Sequence, residues 1–154
     1  MAPIQFARIA VATDGSPHAE RALDVAIDLA KRYGSALSIL GVAPLVPMYL
    51  GSTEAWVPAE VPDTEIQHYR QLVDQSVDRA KSAGLRDVTG VCLEGVIVDE
   101  IIGYLEQTPA DLLVMGSRGL STARRLLMGS VSDAIVHHAT CPVLVVRTEA
   151  APAK

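Results

Sequence analysis

The chain has 154 residues, enough for one domain with a sizeable core. Nearly half of the residues are apolar (49%), a fifth are charged (20%), and the formal net charge is −5, a globular composition without the basic surplus of a general nucleic-acid binder. No stretch approaches the ~20 apolar residues of a membrane span, and the first residues hold neither a basic segment nor a long apolar run. The expectation is a soluble, cytoplasmic protein that meets neither nucleic acid nor membrane.

Residues 8–13 read as a first strand, with Ile9, Ala10, Val11 and Ala12 apolar enough for burial on both faces. Asp14-Gly15 ends it. Ser16 is placed to cap a helix whose first position is Pro17, where a missing N–H costs nothing. Ala19, Ala22, Leu23, Ala26, Ala30 and Tyr33 recur at helical spacing, and Gly34 stops the helix.

Residues 36–42 form the second predicted strand. Residues 43–62 are irregular, with Pro44, Pro47, Pro58, Pro62 and the sole tryptophan, Trp56. A loop of that length in a compact domain is either functional or a plain insertion, and the sequence does not choose between them. Residues 63–83 read as a helix with Asp63 as cap, Ile66, Tyr69, Leu72, Val73, Val77 and Ala80 along one side, and Gly84 at its end. A third strand (88–93), a short helix carrying Ile97, Ile101, Ile102 and Leu105, a fourth strand (112–115), a helix (130–139) and a fifth strand (142–146) follow. Residues 149–154 are expected to fray. Strands alternating with helices predict a single α/β domain: an open parallel sheet of five strands with helices on both faces.

Cys92 and Cys141 are far apart and lack metal-ligand spacing, so two reduced thiols are expected. His18, His68, His137 and His138 form no metal motif. His18 is expected at the surface, and His137-His138 are expected as partners of a helix C-terminal dipole.

The chemistry concentrates in residues 112–146. An apolar strand runs into Gly116-Ser117-Arg118-Gly119, and Gly129-Ser130 opens a helix nine residues later. Glycines after a strand allow a ligand to approach the backbone. The first N–H groups of a helix lack internal partners and attract anions, most often phosphate. Ser130 is expected as the N-cap, with Asp133 resembling the far member of a capping box. Arg118 is positioned to neutralise phosphate, while Arg124 and Arg125 are as well explained as solvated surface. Asp133 would repel phosphate unless a metal or its own capping bond intervened. The chain contains neither G-x-x-x-x-G-K-[ST] nor G-x-G-x-x-G.

The spacing Gly116-x2-Gly119-x9-Gly129-Ser130, with IAVATDGS near the start, ILGV in the second strand and CPVLVVR at the end, resembles the universal stress protein family over roughly residues 5–147. With right-handed crossovers, the resemblance implies a Rossmann-like sheet of order 3-2-1-4-5. It also implies a ligand beyond the strand ends at the switch point between strands one and four. Keeping all three glycines and the serine, the chain is similar to the ATP-binding branch. In that branch Ala12, Thr13, Asp14, Val42, Met115, Gly116, Arg118, Gly119, Gly129, Ser130 and Val131 match positions of the nucleotide site. Asp14 would serve the nucleoside, unless it merely stabilises the Gly15-Ser16 turn. Mg2+ would come with the phosphates, held by phosphate and water. The resemblance further implies a homodimer through the edge strand Val143–Val146.

The expected function is that of a universal stress protein, binding ATP and acting as a nucleotide-dependent stress or regulatory protein. A slow ATPase and a dimeric interaction module with no nucleotide requirement are the alternatives. The sequence shows no Ser-His-Asp order, no paired carboxylates in one motif and no P-loop lysine, so at most weak hydrolysis is expected.

Overall fold

The computed structural model describes residues 2–45, 60–118 and 128–148. Five strands, β1 (Arg8–Ala12), β2 (Ala36–Pro44), β3 (Val88–Gly95), β4 (Leu112–Gly116) and β5 (Val143–Val146), alternate with four helices. The helices are α1 (Pro17–Tyr33), α2 (Asp63–Ser82), α3 (Ile97–Gln107) and α4 (Ser130–His138). The strands pair in parallel in the order β3-β2-β1-β4-β5, as expected.

Side-chain alternation divides the core in two. Ile9 and Val11 of β1, Leu37 and Ile39 of β2, and Val114 of β4 face α1 and α2. Ala10 of β1, Leu40 and Val42 of β2, and Leu113 and Met115 of β4 face α3 and α4. Every residue of β4 is buried, which accounts for its unbroken apolar sequence.

The first helix begins as its sequence dictates. Ser16 is fully buried, and its Oγ accepts from the Ala19 N–H at 3.3 Å with Pro17 at the first helical position. A cap of this kind contributes about 1 kcal/mol. Gly34 closes the helix, its N–H donating to the Ala30 carbonyl. Tyr33 departs from the expected apolar face: it is largely exposed and lies edge-on to Phe6. Arg79 of α2 reaches both Glu20 and Asp24 of α1, a half-exposed pairing worth under about 1 kcal/mol.

Several boundaries differ from the sequence reading. β2 runs on to Pro44, paired with Gly95 at the end of a longer β3, so the irregular segment starts later than Ala43. A proline is tolerated there because it is the last residue of the strand. Asp63 does not cap α2: Pro62 holds the cap position without a side-chain bond, and Asp63 occupies the first helical turn, where its charge suits the dipole. Pro142 precedes β5 rather than beginning it. Residues 46–59, including Trp56, and residues 149–154 lie outside the described residues.

Cys92 on β3 and Cys141 before β5 are free and sit toward opposite edges of the sheet. Burial pushes both thiols up, which keeps them protonated at neutral pH. Among the described residues no helix is long and apolar enough to cross a membrane.

Candidate functional site

The order β2-β1-β4 makes consecutive connections leave β1 and β4 in opposite directions, and a cleft opens beyond their C-terminal ends. Its volume is about 350 Å³. Ala12, Thr13 and Asp14 enter it from the end of β1, Val42 from β2, and Met115, Gly116 and Arg118 from β4 and its turn. Gly129, Ser130 and Val131 enter from the start of α4. Gly119, Arg124 and Arg125 lie outside the described residues. Ala19, Leu40, Tyr69, Ile97, Ile101 and Ser132 complete the wall.

Except for Leu40, those six additional residues share one property. Ala19, Tyr69, Ile97, Ile101 and Ser132 lie in the first two turns of their helices. In a parallel α/β sheet, helix starts stand beside strand C-terminal ends, so helix-start positions are rim positions. That rule was available from the sequence. Tyr69, Ile97 and Ile101 were instead expected only as packing faces.

The cleft has two chemically distinct parts. Leu40, Val42, Ile97, Ile101 and Met115 form an apolar floor from β2, α3 and β4. The half-buried Arg118 and the beginning of α4 line the same cleft. The N-cap of α4 is Gly129, not Ser130, and it makes no side-chain cap bond. Ser130 is the first helical residue, and the capping box expected with Asp133 is not formed. The Gly129 N–H donates to the Ser117 carbonyl at 2.8 Å, which ties the start of the helix to the β4 turn. Asp133 is exposed beside His137, whose Nδ1 lies 2.7 Å from the Asp133 carbonyl, and it is not a wall of the cleft. The expected repulsion of an anion by Asp133 is thereby reduced.

Ser132 ties α4 to the sheet. Its Oγ, buried with the residue at 3% exposure, donates to the Gly116 carbonyl at 2.8 Å. Asp14 is held by its own turn, with Oδ1 accepting from the Ser16 N–H at 2.9 Å. The turn role considered for this aspartate is therefore real, and its side chain lines the cleft as well.

Gly116 lines the cleft, and its missing side chain has a packing reason as well. A Cβ there would stand 2.8 Å from the His18 carbonyl carbon, 2.9 Å from its Cβ and 3.0 Å from the Ala19 nitrogen. Strand alternation explains this: Met115 faces the cleft, so position 116 points the other way, into α1. His18 consequently is not the free surface residue expected. It is half-buried, with Nδ1 3.1 Å from the Ser117 Oγ and Nε2 3.2 Å from the Thr148 Oγ1.

Among the described residues no group of three His, Cys, Asp or Glu side chains converges as a metal site.

Known proteins match this arrangement. The sequence model of the universal stress protein family matches residues 5–147. A curated relative named for that family in Staphylococcus aureus (strain USA300) is 35% identical over 157 aligned positions, covering 97% of this chain and 89% of the relative. The structure is similar to that of the universal stress protein UspA from Lactobacillus plantarum, with TM-score 0.82 and 26% identity over 94% of this chain and 100% of that one. It also resembles a universal stress protein solved in complex with cAMP, with TM-score 0.69 and 29% identity over 95% of this chain and 100% of that one. With its fold, its sequence and the position of its cleft in agreement, the chain belongs to the universal stress protein family.

Proposed function

We propose that this protein binds ATP in the cleft between β1 and β4 and acts as a nucleotide-dependent stress or regulatory protein. The observation that carries this reading is that one cleft of about 350 Å³ is lined both by an apolar floor and by Arg118 with the start of α4, whose N-cap Gly129 makes no side-chain cap bond. A purine is flat and apolar on its faces, and a triphosphate needs N–H donors and a cation. The volume falls within the usual range for small-ligand sites. The relative solved with cAMP lends support, because cAMP joins an adenine to a phosphate. Ala12, Thr13, Val42 and Met115 would bound the nucleoside, and Asp14 would accept from it. Gly116, Arg118, Gly119, Gly129, Ser130 and Val131 would surround the phosphates. Mg2+ would be carried by phosphate oxygens and water, since no carboxylate cluster stands ready among the described residues.

The test is calorimetric titration of nucleotide-free protein with ATP and Mg2+. Micromolar affinity is the expected result. No heat of binding up to millimolar ATP would overturn the reading and leave an interaction module as the function. Slow turnover is read separately, by phosphate release over hours.

The same reading includes a homodimer through β5. This strand is the edge of the sheet, and Leu144 on it and Val136 on α4 are exposed at 37% and 44%. Apolar edges of that kind are normally covered. Leu144→Arg is expected to halve the mass measured by light scattering while the thermal melt stays cooperative. A wild-type chain that is monomeric at tens of micromolar would contradict the dimer.

A further inference from the structure

Tyr69 is the sole residue of α2 among the described walls of the cleft. It comes from the far side of the sheet. α2 packs with α1 on one face, whereas the apolar floor of the cleft lies on the other face, under α3 and α4. The residue nonetheless lines the cleft and lies beside Gly41 of β2. Gly41 permits the close approach of α2 at Val73, one turn on: a Cβ at this position would stand 2.7 Å from Val73 Cγ2, while Tyr69 Cδ1 at 3.7 Å would be in ordinary contact.

The residue is 8% exposed, a burial at which a tyrosine hydroxyl normally finds a partner. No described residue supplies one, and the hydroxyl is not sealed away from solvent either. Tyr69 lines the cleft, so its hydroxyl is a donor available to a ligand there. Burial first, then the neighbouring charges of Asp14 and Glu65, push its ionisation up, so it keeps its proton at neutral pH. Asp14 offers the complementary group: Oδ1 is engaged by Ser16, and as a carboxylate it is an acceptor only.

The position of this pair along the cleft selects its ligand group. Asp14 follows β1, the strand between β2, which supplies Val42 to the apolar floor, and β4, which leads to Gly116 and Arg118. A nucleotide laid from floor to helix start would put its sugar over β1. We infer that Tyr69 is a specificity-determining residue that, together with Asp14, reads the ribose hydroxyls, the tyrosine donating and the aspartate accepting. The inference rests on the nucleotide reading above and extends it to the sugar. A vicinal diol suits the pair because each hydroxyl both donates and accepts. A deoxysugar leaves one partner unused.

The test compares wild-type protein and Tyr69→Phe in titrations with ATP, 2′-deoxy-ATP and 3′-deoxy-ATP. Phenylalanine keeps the ring and removes only the hydroxyl. Tyr69→Phe is expected to weaken ATP binding about five- to tenfold, the scale of one hydrogen bond. It is expected to leave unchanged the binding of whichever deoxynucleotide lacks the partner hydroxyl, since that contact is already missing. Matching thermal melts for the two proteins would confirm that the difference is local. Equal weakening of all three nucleotides, or no weakening of any, would overturn the inference while the nucleotide reading stood. Absence of ATP binding by the wild type would instead remove the nucleotide reading itself.

Discussion

Replacing Gly116 by valine is expected to destabilise the protein by about 3 kcal/mol, at the upper end for overpacking a filled site. For a domain of this size that corresponds to a fall of roughly 10 °C in melting temperature. The expectation follows from what the new side chain meets. A Cβ at position 116 would stand 2.8 Å from the carbonyl carbon of His18 and 3.0 Å from the nitrogen of Ala19. These are backbone atoms in the first turn of α1, and that turn is fixed by the buried Ser16 cap. A flexible side chain could rotate aside, but a capped helix start cannot do so without loosening its own hydrogen bonds. Thermal melting followed by circular dichroism measures the effect. A melting temperature within about 2 °C of wild type would show that α1 yields easily and that the contact constrains little. This variant is therefore a poor probe of ligand binding, because any loss of affinity would be mixed with loss of fold.

A cleaner block on the cleft comes from Ala12. This residue is half-exposed, belongs to the α3–α4 face of β1, and lines the cleft. Phenylalanine at this position would extend into open volume rather than into packed core. Ala12→Phe is expected to reduce ATP affinity by at least ~100-fold, because the ring occupies space that the nucleoside needs. The melting temperature is expected to stay within about 3 °C of wild type, as for other substitutions away from packed core. Val131→Trp, at the first turn of α4, blocks the other end and is expected to act alike. Both measurements use calorimetry on the full chain. If both variants bound ATP as tightly as wild type, the nucleotide would have to sit elsewhere.

The fold was largely legible in the sequence because its signals are local and strong. Ile9 to Ala12 and Leu112 to Met115 are unbroken apolar runs, and Ser16-Pro17 and Gly34 bracket α1 at the predicted positions. The ten described residues named from the family resemblance all line one cleft. The misreadings came from information that is not local. Ser130 has a capping side chain, but the N-cap is Gly129, whose N–H is bonded to Ser117 across a gap in sequence. Gly116 lines the cleft as expected, and the sequence does not show that strand alternation also turns its missing Cβ toward α1. His18 gives no sign in sequence of its partners Ser117 and Thr148, which lie 99 and 130 residues away. Tyr69 fits the apolar stripe of α2, so the sequence pattern does not distinguish its cleft position from ordinary packing.

The two glycines beneath α2 have an effect on the opposite side of the sheet. Val73 sits with Cγ2 against Gly41 and Cγ1 against Gly90, at 2.7 Å from where each glycine's Cβ would be. The valine is a key seated in a two-walled slot cut by neighbouring strands. A key of this kind indexes the helix: it blocks sliding along its axis and rotation about it. Tyr69 is one turn away from Val73 and inherits that fixed setting. The calibration of the cleft is thus held by packing that no ligand touches, and a methyl group added at position 41 or 90 would shift the gauge from behind.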